Sequence, residues 1–413
     1  MKKELISPKA DAWNWQGNNP FSRSVIVGDQ VFVSGQQSLD KNGQVLDPGD
    51  IGAQTRHVFE NMKASLQQVG LELSDLVRLN TYYVFDGTDD DATQYWEDMT
   101  QVRLEYFPNP GPAATAVRIK GMPYAGQLIQ IEGIALRGES RKNLERIMPE
   151  DSWDWSIPVP LSQGWKVEDH IYVGGQISAD KNGEPVHADD LDAQTHAIYD
   201  FIENVLTDSG SSFEDLVHIK VCFKHDSYTD AGQSYADRIM DITTDVVGSS
   251  SSPAMTAFGV DLLYPGLVLE LDAMAIVDSG RKKLTCNDIG ERYQPDAFAD
   301  GSSAGGEIWV SGQTALGSDG AITHAGDVEA QSRVVFGRLK QILAKDDATL
   351  NDIVKINIFI VGDDDQIEGI FHTASRVWAE IAPDAHPAMT PVRVHELARP
   401  GALIQADCIA IKE

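Results

Sequence analysis

Apolar positions along this chain follow two periods, and the order in which the periods alternate repeats three times. The segments AQTRHVFENMKASLQQVG (53–70), AQTHAIYDFIENVLTDSG (193–210) and AQSRVVFGRLKQILAKDD (330–347) place apolar residues at helical spacing. Each predicts an amphipathic helix of about four turns. Before them come VFVSGQQSLDKNGQV (31–45), IYVGGQISADKNGEPV (171–186) and IWVSGQTALGSDGAI (308–322), apolar strands ending in DKNG or GSDG turns. After them come SDLVRLNTYYV (74–84), EDLVHIKVCFK (214–224) and NDIVKINIFIV (351–361), β-branched and aromatic, which read as further strands. A second helical stretch follows, and Pro-Ala-x-Thr opens another strand at 112–115, 253–256 and 387–390. Each unit closes on an apolar strand: QLIQIEGIAL, LVLELDAMAI or ALIQADCIAI.

The predicted order per repeat is strand, strand, helix, strand, helix, strand, strand. With both helices on one face of a sheet, the other face is apolar and uncovered. Three repeats can close those faces on one another around a threefold pseudo-axis, helices outside. The domains expected are 1–140, 141–280 and 281–413. Polar, locally basic linkers fall at 137–152 and 278–292.

Charge narrows the function. Lys+Arg is 33 against 63 Asp+Glu, a formal net charge of −30. A nucleic-acid backbone is therefore an unsuitable partner. No apolar run approaches the roughly 20 residues of a membrane helix, and MKKELISPKADAWNW has no apolar core, so the cytoplasm is the expected location. Cys222, Cys286 and Cys408 have no metal-site or CxxC spacing and read as inert thiols. His218 and His225 flank Cys222 at a spacing that suits no common zinc site. No metal and no cofactor are expected. Trp13 and Trp15, echoed by Trp153 and Trp155, read as packing anchors.

VSGQ followed by a DKNG turn, the AQT helix start, the DLV strand and the PA…E-x-A-I-A ending resemble the RidA/YjgF family, three times over. The resemblance implies an α+β, chorismate-mutase-like fold, here a trimer fused into one chain, with small-molecule sites in the clefts between repeats. It also implies an arginine after Pro-Ala that holds a substrate carboxylate, and a later acid that positions the attacking water. This chain has Ala114, Met255 and Met389 in the arginine's place. Neither alanine nor methionine offers a guanidinium's bidentate donors. The acid is matched to Glu132, Asp272 and Asp407, read either as general bases or as satisfied buried acids. Arg118 and Arg393 stand four residues past Ala114 and Met389, on the same strand face and about 13 Å along it. They are surface arginines or a source of positive charge for two clefts. Arg393, His395 and Asp407 form a candidate acid–base constellation in repeat 3. The family's aromatic falls at Phe21, Leu161 and Phe298, and its Ser-Gly at Ser34-Gly35 and Ser311-Gly312, with Gly174-Gly175 in repeat 2. Repeat 2 thus departs furthest, and a site drawing on repeats 1 and 3 is expected.

Three functions stay open at this point. One is hydrolysis of a small imine or enamine by acid-positioned water. A second is ring-opening cyclic amide hydrolysis, whose Ser–Lys pair in each repeat is missing here. The third is small-molecule binding without catalysis.

Overall fold

A computed structural model describes residues 3–6, 20–107, 109–155, 157–248, 251–278, 280–286 and 299–412. Trp13, Trp15 and Phe298 lie outside the described residues. Repeat 1 is built from β1 (Ser24–Val27), β2 (Gln30–Gln37), α1 (Ile51–Gln67), β3 (Leu76–Val84), α2 (Asp89–Tyr106), β4 (Ala113–Ile119) and β5 (Ile129–Leu136). Repeat 2 follows with β6 (Gly164–Val167), β7 (His170–Gln176), α3 (Leu191–Asp208), β8 (Leu216–Lys224), α4 (Tyr235–Val247), β9 (Ala254–Val260) and β10 (Leu269–Ile276). Repeat 3 supplies β11 (Gly301–Ala304), β12 (Glu307–Gln313), α5 (Val328–Leu343), β13 (Ile353–Ile360), α6 (Ile367–Ile381), β14 (Ala388–Arg393) and β15 (Ile404–Ile411). Strand and helix order match the sequence reading in every repeat.

Sheet order is the same each time. In repeat 1 it runs β1-β2-β5-β3-β4, with β3 and β4 parallel and the other pairs antiparallel. A short leading strand (Glu4–Ile6, Leu144–Ile147 or Lys282–Leu284) extends the far edge. The Pro-Ala-x-Thr strand is therefore an exposed sheet edge within its own repeat, and the next repeat covers it. Bridges Ala113↔Ser162, Ala254↔Ala299 and Ser22↔Ala388 close the ring 1→2→3→1.

The AQ motif explains how the helices are held. Asp50, Asp190 and Asp327 cap the first helix of each repeat by accepting from the backbone N–H of Ala53, Ala193 and Ala330. Gln54 then donates to the Gly126 carbonyl at 2.8 Å and accepts from Leu128 N–H at 2.8 Å, and Gln194 and Gln331 repeat both bonds. A buried amide thus ties each helix to the turn before the last strand. Trp155 stacks on Trp96 of α2 at 4.7 Å, which seats the start of repeat 2 against repeat 1.

The sheets face inward, and the pseudo-axis is layered. At one end Phe32, Tyr172 and Trp309 join Val77, Val217 and Val354 in an apolar cluster drawn from all three repeats. Charged and polar residues form the middle layer. Beyond it Tyr82, Cys222 and Phe359 pack with Val117, Phe258 and Val392. Phe258 and Phe359 stack at 4.3 Å across repeats 2 and 3. Truncation of a fully buried aromatic leaves a cavity the surroundings cannot fill. Phe258→Ala is expected to lower the unfolding free energy by about 3–5 kcal/mol, measured by urea denaturation against the parent chain.

Candidate functional site

The middle layer holds the three acids singled out in the sequence. Each draws its partners from its own repeat and from the preceding one. Asn80 donates to Glu132 at 2.8 Å from the neighbouring strand of the same repeat, and Asn357 donates to Asp407 at 2.8 Å. Lys220 occupies the same position in repeat 2 and pairs with Asp272 at 3.0 Å. The threonine of Pro-Ala-x-Thr comes from the preceding repeat in the ring: Thr390 donates to Glu132, Thr115 donates to Asp272 at 2.9 Å, and Thr256 stands beside Asp407. A cation from that preceding repeat completes two of the acids, with Lys355 2.5 Å from Glu132 and Arg78 paired with Asp272. The third place is taken by His218, which bonds Thr256 at 3.1 Å. Burial pushes His218 down to about 3, so it is neutral at ordinary pH and brings no charge.

The electrostatics differ accordingly. Burial alone would raise Glu132 and Asp272, but the neighbouring lysines and Arg78 hold both below the usual carboxylate range. Asp407 lacks a close cation and burial pushes it up to about 6. Its Oδ2 and Asn80 Oδ1 are buried without hydrogen-bond partners. They face an axial cavity of about 40 Å³, room for two or three waters.

The inter-repeat seams lie one step outward on the same strands. In β2, β7 and β12 the register slips by one residue at Ser34-Gly35, Gly174-Gly175 and Ser311-Gly312. These are β-bulges. Over each bulge lies the side chain two residues before the axial acid, about 7 Å along the strand: Gln130, Glu270 or Gln405. A Cβ on Gly35 would sit 1.9 Å from Gln130 Nε2, and one on Gly175 would sit 2.0 Å from Glu270 Oε1. The glycine of the VSGQ pattern is there to receive that side chain. Across the seam, Ala116 N–H donates to Glu270, and Gln405 donates to the Ala257 carbonyl at 3.2 Å. The equivalent position facing Gln130 is Pro391, which has no N–H, and neither amide atom of Gln130 is bonded. Burial, and next the Asp272 charge, push Glu270 up to about 8. It is a neutral acid at pH 7.

Of the residues singled out in the sequence, Ala114 and Met255 are half-buried at seams, and Met389 is buried beside Phe21 in the core of repeat 3. Ser34 donates to the Arg23 carbonyl at 2.9 Å. Ser311 accepts from Met255 N–H at 2.9 Å, across the seam beside Gly312. Glu132, Asp272 and Asp407 are brought together with the threonines, on the axis.

Two expectations are corrected. Arg118 and Arg393 are buried, not on the surface: they donate to the carbonyls of Phe85 and Gly362 at 2.9 Å and so clamp the loops after β3 and β13. The Arg393–His395–Asp407 constellation does not form. Strand β14 ends at Arg393, so alternation no longer sets the direction of His395, which meets Asp261 at 3.0 Å. Sequence reading also missed Glu270. The available signal was glutamine at the equivalent place in both other repeats.

Comparison with known proteins agrees with this geometry. The profile of the Endoribonuclease L-PSP family matches at residues 14–137, 156–277 and 293–412. A RutC family protein of Pyrococcus abyssi is 36% identical over 118 residues, 29% of this chain and 87% of its own. The 3-aminoacrylate deaminase RutC of Acinetobacter baylyi is 35% identical over 135 residues, 33% of this chain and 98% of its own. A crystal structure of a chorismatase shares the fold across the repeats: TM-score 0.54, 13% identity, 83% of this chain and 95% of that one.

The axial acids predict opposite responses to amide substitution. Asp272→Asn strips a buried ion pair and is expected to cost about 3–5 kcal/mol. Asp407 has its folded pKa raised, so the folded state holds an extra proton between about pH 4 and 6, and stability falls as pH rises through that window. Asp407→Asn is expected to abolish that slope and to stabilise the chain by roughly 1–3 kcal/mol at pH 7. Urea titrations of both variants from pH 4 to 8 measure this.

Proposed function

The chain belongs to the Endoribonuclease L-PSP family, present three times in one polypeptide, and on that premise we propose that it hydrolyses a small imine or enamine at the seam between repeats 1 and 2. The observation that carries this reading is Glu270. Among the three equivalent seam positions it alone titrates, and burial keeps its proton on at neutral pH. A relative 35% identical to part of the chain is a 3-aminoacrylate deaminase, which supports C–N hydrolysis as the reaction class.

In the proposed reaction, the Glu270 carboxyl gives its proton to the β-carbon of an enamine, leaving an iminium. Water adds to the iminium carbon as the Glu270 carboxylate takes one of its protons. That proton then passes to nitrogen, the C–N bond breaks as the Glu270 carboxylate takes the proton of the new hydroxyl, and ammonia leaves behind a carbonyl product with Glu270 protonated as at the start. An imine enters at the protonated nitrogen and follows the same steps. The Ala114 position in this seam lacks the guanidinium that would grip a carboxylate, so the substrate class is small and without a carboxylate beside the reacting carbon. The Gly174-Gly175 bulge lacks the hydroxyl that Ser34 and Ser311 carry, and a Cβ on Gly174 would sit 3.1 Å from Ala114 N, so glycine here lets the repeat 1 strand approach the seam closely.

Glu270→Gln reproduces the side chain that both other bulges already accommodate, so folding is expected to survive. Ammonia release from freshly generated enamines and imines is expected to fall by a factor of about 10²–10⁴ in kcat/KM. The parent's rate is expected to decline above about pH 8, where Glu270 loses its proton. Equal turnover by Glu270→Gln, or a rate that climbs through pH 8, would refute the assignment.

A further inference from the structure

At the end of the pseudo-axis beyond the apolar layer, three ligating side chains converge that no part of the proposed reaction uses. His225 follows β8, Asp261 follows β9, and His395 arrives from repeat 3 after β14. His225 Nε2 lies 3.2 Å from Asp261 Oδ1, and His395 Nε2 lies 3.0 Å from Asp261 Oδ2. The two imidazoles stack with centroids 3.9 Å apart and planes within 6°. One ligand atom from each residue falls within 4.8 Å of the others.

We propose that His225, Asp261 and His395 bind one divalent transition metal of the zinc or cobalt kind, stapling repeat 3 to repeat 2. Four observations support a metal over a plain hydrogen-bonded trio. First, bonds of about 2.0–2.1 Å in a tetrahedral site set ligand atoms roughly 3.3 Å apart, and the carboxylate oxygens here stand 3.2 and 3.0 Å from the two nitrogens. Second, His395 Nε2 is buried and stands 3.0 Å from Asp261 Oδ2 without an aligned hydrogen bond. Third, the other ring nitrogen of His225 lies 3.1 Å from Asp226 Oδ2. A carboxylate behind a histidine fixes its tautomer and presents Nε2 to a metal. Fourth, the backbone holds the ligands before any ion arrives: His395 N–H donates to the Gly259 carbonyl and Asp261 N–H to the Arg118 carbonyl, both at 3.0 Å. Arg118 Nε stands 3.5 Å from Asp261 Oδ2. Two imidazoles and one carboxylate fill three positions, and the fourth is left for solvent. Neutral imidazoles with one carboxylate suit zinc or cobalt better than calcium or magnesium, which take oxygen ligands.

The test uses the full chain after treatment with a chelator. Co²⁺ is added while visible absorption is followed, and Zn²⁺ binding is measured by calorimetry. The expected result is one equivalent bound per chain and a higher Tm with Zn²⁺ present. His225→Gln and His395→Gln are each expected to weaken binding on the order of 100-fold and to lose the Tm gain, while their metal-free melting stays that of the parent. Absence of a bound equivalent in the parent overturns the proposal. So does undiminished binding in both variants. If one variant melts early without metal, the other still decides the outcome.

Discussion

The buried acid at the pseudo-axis is the constraint on which this structure depends. An ionised carboxylate taken out of water costs several kcal/mol unless donors and opposite charges surround it. No repeat can supply them alone. Glu132 needs Thr390 and Lys355, and Asp272 needs Thr115 and Arg78, all from the preceding repeat in the ring. The same threonines sit on the edge strand that would otherwise lie open. Satisfying the acid and covering the edge are therefore one event, and both link each repeat to its neighbour. This is why Pro-Ala-x-Thr recurs although its x position carries no common chemistry.

The seam depends on the axis through strand geometry. Residues two apart on β5, β10 and β15 share a face, so fixing the axial acid fixes the side chain one step outward. That side chain lands on the bulge glycine of β2, β7 or β12. A bulge and a bulky residue would not both fit there, and the glycine resolves the conflict by close approach. Glu270 then has a place already shaped for it, dry enough to keep its proton and bonded to Ala116 N–H. The charge beneath it matters too: Asp272, held ionised by Arg78 and Lys220, discourages a second negative charge two residues away.

Much of this was legible in the sequence, for a physical reason. Helix and strand periods record which face of each element is dry, and three copies in register exclude accidental patterns. Asp50, Asp190 and Asp327 ahead of the AQ motif announce their helices by local capping. Long-range partners leave no such local trace. Thr115 meets Asp272, and His395 meets Asp261, across different repeats, so spacing along the chain is silent about both. Arginine's usual preference for solvent misled the reading of Arg118 and Arg393, because loop carbonyls in need of donors outweighed the cost of burying the guanidinium. Glu270 and Asp272, two apart in LELD, point to the same face, so alternation alone does not separate the seam acid from the axial one.

Fusion changes what the axis can hold. Three identical subunits would bring three copies of every residue to the axis, so a cation there would face two like charges at short range. The fused chain places Arg78, His218 and Lys355 at one level, and Asn80, Lys220 and Asn357 at the next. One member of the first set is uncharged, and two of the second are amides, so each repeat brings one cation and one neutral group to the axis. The consequence is inequality among the acids. Where His218 stands in place of a cation, Asp407 loses its counter-charge and rises toward neutrality. Where Arg78 and Lys220 meet on Asp272, the charge is fixed. That fixed charge lies beneath the seam that carries Glu270, so the asymmetry of the axis reaches the surface as one seam of altered acidity among three of shared shape.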